Sequence, residues 1–131
     1  MIGIDTSILL RAIAEDDRAQ SPKAAEFLLA RSPDDPAVVN AVVVAEMVWA
    51  LRAKFKASRA EIVSILDDIV GNPAFVILER ESVLVALQDY REGLGGFTDV
   101  LIAQLNAAAG CTTTVTFDKG APVQSGFTRL P

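Results

Sequence analysis

The 131-residue chain contains no histidine and a single cysteine, Cys111. Without histidine the usual general base is missing, and no Ser-His or Cys-His nucleophile pair can form. One cysteine excludes an internal disulfide, and Cys111 reads as a small buried hydrophobe at the start of a strand. Basic residues are in the minority, with 12 Lys+Arg against 17 Asp+Glu and a net charge of −5. That balance, with a pI near 4.6, excludes a strongly basic nucleic-acid footprint over the whole chain but leaves room for a small phosphodiester site. No stretch approaches the roughly 18 uncharged apolar residues a membrane span needs. SILLRAIA is too short and too far along for a signal peptide, and Asp5 and Arg11 interrupt the apolar run around it. The default expectation is a cytoplasmic protein.

Apolar residues are what the chain has in abundance. Hydrophobic side chains make up 51% and the mean hydropathy is +0.36, which excludes disorder as a global description. The length suits a single domain over residues 1–131 with a real core. So much apolar surface on a small domain also implies that a partner or a second copy covers part of it.

Short apolar strands alternate with amphipathic helices along the chain. Strands are expected at 1–4, 37–39, 75–78 and 112–117, with a short edge strand at 127–130. Helices are expected from Thr6 or Ser7 to about Ala14, from Ser21-Pro22, from about Ala41 to the basic segment Arg52, Lys54, Lys56 and Arg59, through Ile62 to Ile69, through Val83 to Tyr90, and from a Thr98 cap to Gly110. Strands separated by helices imply a parallel sheet with helices on both faces. Ligands in such sheets bind beyond the carboxyl ends of the strands.

Four acids stand in apolar settings: Asp5 in MIGIDTSILL, Glu46 in VVVAEMVWAL, Asp99 in GFTDVLIAQL and Asp118 in TTTVTFDKG. Glu46 is the only charge between Pro36 and Leu51, and its helix neighbours Val42, Val43, Trp49 and Ala50 are apolar. A carboxylate buried on such a face needs a partner, an arginine being the plain alternative. Asp5 and Asp118 follow strands, where an aspartate also makes turns or caps helices, and Asp99 in a first helical turn suits the dipole without any function. Two carboxylates about 4 Å apart repel by roughly 4 kcal/mol at an effective dielectric near 20, so four converging acids need cations. Oxygen ligands without His or Cys favour Mg²⁺, or Mn²⁺, over zinc. The chemistry that fits is metal-assisted phosphodiester hydrolysis, in which the ion lowers the pKa of its bound water.

At these positions the chain resembles the PIN-domain ribonucleases, specifically the VapC-type toxins of toxin–antitoxin modules. The matching pieces are IDTSILLRAI, VVVAEMVWALR, GFTDVLIAQLN and GCTTTVTFDKG, in the family's order and approximate spacing over essentially the whole chain. The resemblance implies a three-layer α/β/α sandwich around a central parallel sheet of four to five strands. It implies Mg²⁺- or Mn²⁺-dependent RNA cleavage, a homodimer, and a small cognate antitoxin that blocks the site. Asp5, Glu46, Asp99 and Asp118 map onto the family's acidic quartet as catalytic and metal-binding residues, with Thr6 and Thr116 as supporting hydroxyls. Two departures stand out. Gly96 occupies a position where many relatives carry a further acid, and Ser7 one where many carry Asn. The first bears on a second metal ion, so the number of ions stays open.

Other readings are a catalytically silent PIN-fold module that binds protein, and an aspartyl-phosphate or receiver domain. The last fits worst, because Asp5 lacks the D-x-D spacing of the phosphatases and the third strand ends in Leu78-Glu79. The basic run Arg52 to Arg59 reads either as an RNA grip or as a solvated helix end that complements the dipole. Trp49 reads as core or interface packing in preference to a base-stacking platform.

Overall fold

Helices begin where the chain offers a short polar acceptor to the free amides of a first turn. In the computed structural model, which describes residues 1–121 and 126–131, Asp5 opens helix α1 (Thr6–Ala14) and Asn40 opens α3 (Ala41–Ala53), Asn40 accepting the Val43 N–H at 3.0 Å. Helix α2 (Gln20–Leu29) lies between them. Ser58 opens α4 (Arg59–Val70) with a reciprocal pair: its hydroxyl accepts from the Glu61 amide at 3.1 Å, and the Glu61 carboxylate accepts from the Ser58 amide at 3.0 Å. Ser58→Ala is therefore expected to cost about 1 kcal/mol of stability, read as a lower urea midpoint with an unchanged slope.

Helices α5 (Arg80–Arg91) and α6 (Phe97–Ala108) complete the set. Thr98 does not cap α6: Gly96 is its N-cap, and no side chain caps it. The helix thus starts two residues earlier than the threonine suggests, and Asp99 still falls in its first turn. Similarly Asp5 itself, not Thr6 or Ser7, caps α1. A glycine is needed where α5 gives way to α6. Gly93 has φ +73°, and a Cβ there would sit 2.9 Å from an Arg59 guanidinium nitrogen.

The strands are short: β1 (Ile2–Gly3), β2 (Ala37–Val39), β3 (Phe75–Ile77), β4 (Thr114–Thr116) and β5 (Phe127–Arg129). All pairings between them are parallel, as strand–helix alternation requires. The architecture is α/β. Among the described residues the five strands form not one continuous sheet but a three-stranded sheet, ordered β1-β2-β3, and a two-stranded sheet of β4 and β5. With only two residues in β1, that strand pairs with β2 alone among the described residues.

The core lies around α3 and the helices beside it. Val44, Met47, Val48 and Leu51 of α3 are buried together with Leu9, Ile62, Leu66, Val83, Leu87, Phe97 and Val100. Tyr90 meets Phe97 edge to face, with ring centroids 6.3 Å apart at 83°. Helix α3 packs on α1, α4 and α6, and α5 packs on α4 and α6. Its nearly all-apolar sequence predicts burial on two sides, yet Val42 and Trp49 are 66% and 62% exposed and Glu46 is exposed with them. The reason is the 3.6-residue period: 42, 46, 49 and 53 form one narrow stripe, and no element covers it among the described residues. No described helix is long and apolar enough to cross a membrane.

Candidate active site

Asp5 reaches the surface because β1 ends two residues before it and Ile4 is buried behind it. Its Oδ2 accepts from the Ser7 hydroxyl at 2.7 Å and, more weakly, from the Ser7 amide at 3.4 Å. The Ser7 hydroxyl is the main cause that holds the Asp5 carboxyl below its usual pKa, aided by the Ser7 and Thr6 amides against a small cost of burial. Asp5 therefore remains an anion to lower pH than a free aspartate does. Ser7, a departure from the family pattern, is thus the residue that orients Asp5.

Glu46 comes to the same place from mid-α3. Its Oε1 accepts from the Thr6 hydroxyl at 3.3 Å, and Thr6 is buried at 8% exposure. The first residue of α1 thereby connects Asp5, its chain neighbour, with an acid forty positions away. Glu46 makes no ion pair with arginine among the described residues. Because it is exposed, the expected cost of burying a lone carboxylate does not arise.

Two hollows of about 610 Å³ each adjoin at Glu46 and Trp49, which line both. One includes Asp5, Thr6, Ser7, Leu10, Arg11 and Lys54. The four α1 residues from Thr6 onward recur at helical spacing, so one face of α1 forms that wall. The other includes Arg52, Gly96, Thr98 and Asp99. Asp99, the third residue of α6, is half-buried there. A Cβ on Gly96 would lie 3.5 Å from Asp99 Oδ2, so an acid at position 96 would set a second carboxylate beside Asp99. This chain has none.

Asp118 lies just beyond β4 and is exposed. Its Oδ1 accepts from the Gly120 amide at 2.8 Å, and its own amide donates to the Thr116 hydroxyl at 3.0 Å. These bonds make the tight turn expected of an aspartate after a strand. Asp118 lines neither hollow. Thr116 holds the backbone of that turn.

The donor chemistry fits a hard divalent cation, since every functional atom named is oxygen. Among the described residues no group of three or more acids is arranged to hold one ion.

Trp49 reads from the sequence as core or interface packing; it is not in the core but exposed, at the junction of the hollows. Its position three residues after Glu46 was the available signal. Arg11 was read only as a break in an apolar run. It borders the Asp5 hollow, pairing with Asp16 at 3.2 Å and donating to Gln20 at 2.9 Å. The basic run divides: Arg52 and Lys54 border the hollows, whereas Arg59 sits over the Tyr90 ring, 5.6 Å from its centroid. No curated protein matches the chain significantly. The family profile described as PIN domain matches residues 2–124.

Proposed function

The chain belongs to the PIN-domain family, whose members are generally nucleases and usually use divalent metal ions, and on that premise we propose that it is a metal-dependent endoribonuclease, the toxin of a toxin–antitoxin module. The observation that carries this is the Thr6–Glu46 hydrogen bond, which ties Glu46 to the strand end where Asp5 stands. Asp5 and Glu46 would hold Mg²⁺, or Mn²⁺, on one side of Trp49, with Asp99 facing from the other hollow; Asp118, in its own turn beyond β4 and outside both hollows, would be the fourth acid only if that turn rearranged. A bound divalent cation supplies charge neutralisation for phosphate and a lowered pKa for an attacking water. Thr6 orients the Glu46 carboxylate, and Ser7 orients that of Asp5. With no histidine in the chain, these carboxylates are the groups available to accept a proton.

A small antitoxin and a second copy of the chain are the proposed protein partners. Leu29, Phe117 and Val115, 87%, 76% and 58% exposed, offer apolar side chains away from the hollows for such contacts. A second reading, a silent PIN module that binds protein, is favoured by Gly96 beside Asp99 and by the separate turn that engages Asp118. RNA cleavage by the purified protein with Mg²⁺ or Mn²⁺, before and after EDTA, separates the two. The nuclease reading expects cleavage that EDTA abolishes and added metal restores; the silent module expects none under any condition.

A further inference from the structure

We propose that Trp49 is a substrate-positioning residue that stacks on an unpaired base of the RNA as it passes between the two hollows; this rests on the ribonuclease reading above. Trp49 is 62% exposed, and it follows Glu46 by one helical turn on the uncovered stripe of α3. Its indole borders both the hollow that contains Asp5 and the one that contains Asp99. A strand laid from one to the other must pass the ring. Position 45 on one side and 53 on the other are alanines, too small to cover an indole.

The surrounding charges suit a nucleotide. The Lys54 ammonium lies 5.9 Å from the centre of the Trp49 ring, and Arg52 borders the opposite hollow. Arg52 is placed for a phosphate flanking a stacked base, whereas Lys54 lies over one face of the indole, so the base takes the other face. A chain of net charge −5 has no broad basic funnel to bind RNA by backbone charge alone, so stacking carries a correspondingly larger share. Every base presents a π face, which makes this contact tolerant of sequence. Bases inside a duplex are already stacked and must be unpaired before they offer one.

Trp49 is the only tryptophan, so intrinsic fluorescence reports on it alone. In Mg²⁺, with Asp99→Asn to keep the oligonucleotide intact, a single-stranded RNA is expected to quench that fluorescence and its duplex form to leave it unchanged. In cleavage kinetics on the otherwise wild-type chain, Trp49→Ala is expected to raise KM for the single strand by ~5- to 150-fold. Trp49→Phe restores most of the affinity. Arg52→Gln makes the salt dependence of binding shallower, by about 0.7 in log–log slope. An unchanged KM in Trp49→Ala, or an equal loss toward duplex RNA, overturns the proposal. So does a variant that alters only the sedimentation of the protein, which would assign the indole to a protein contact. A wild-type chain that cleaves no RNA with any divalent cation removes the ribonuclease reading itself, whereas an active wild type matched by Trp49→Ala removes stacking alone.

Discussion

Asp5→Asn is expected to lower RNA cleavage by more than ~100-fold, beyond the 10- to 100-fold loss typical of groups that merely support a metal ligand. The substitution is unusually clean. Asparagine caps a helix about as well as aspartate, so the start of α1 survives while the charge is lost. Asp5 is exposed, which leaves no cavity behind. Thermal unfolding should therefore match the wild type while cleavage fails. Asp99→Asn is expected to behave alike, with only the small loss that removing an acid from a first helical turn brings, about 0.3–1 kcal/mol. If either variant cleaves RNA at the wild-type rate, its carboxylate is not part of the chemistry.

Phe97→Ala is the second large effect, and it acts through packing. Phe97 is 1% exposed and belongs to the central core, where it meets the Tyr90 ring. Truncating a buried phenylalanine to alanine costs ~3–5 kcal/mol, because the contacts vanish and the cavity closes only in part. Against a total stability of about 5–15 kcal/mol for a domain, that is a large fraction. Phe97 is also the first residue of α6 and lies two residues before Asp99. Its loss should therefore loosen the Asp99 wall of the hollow as well. Denaturant unfolding measures the first effect, and a drop in activity at temperatures where the variant stays folded measures the second. A change below about 1 kcal/mol would contradict a central packing role for Phe97.

The helices were legible because their signals are local. Apolar spacing at Ile62, Ile65, Leu66 and Ile69, and at Val83, Leu84, Leu87 and Tyr90, marks α4 and α5, although the start of α1 is set by Asp5 and not by the Thr6 or Ser7 the sequence suggests. Strand positions were legible for a similar reason, since 37–39 and 75–77 are short apolar runs between helices. Pairing between strands was not, because it depends on geometry across long separations. A strand of two residues such as β1 has too few amides to register against a neighbour on each side, and the division into two sheets follows no local pattern. Glu46 stands out in the sequence for a reason the structure overturns, since its side chain is exposed. Apolar neighbours at i±3 and i±4 suggested a buried charge, but whether a helix stripe is covered depends on what packs there, and Val42 and Trp49 are bare. The Thr6 hydroxyl that meets Glu46 lies forty residues away, and spacing alone could not identify it. The turn role weighed for Asp118 is the one its hydrogen bonds make.

The account depends on Asp5 and Glu46 acting jointly on one divalent cation beside Trp49. Calorimetric titration with Mn²⁺ tests this most directly. Saturable binding is expected in the wild type, lost in both Glu46→Gln and Asp5→Asn while each variant stays folded. Equal binding in wild type and variants, or no saturable binding to the wild type, would contradict it.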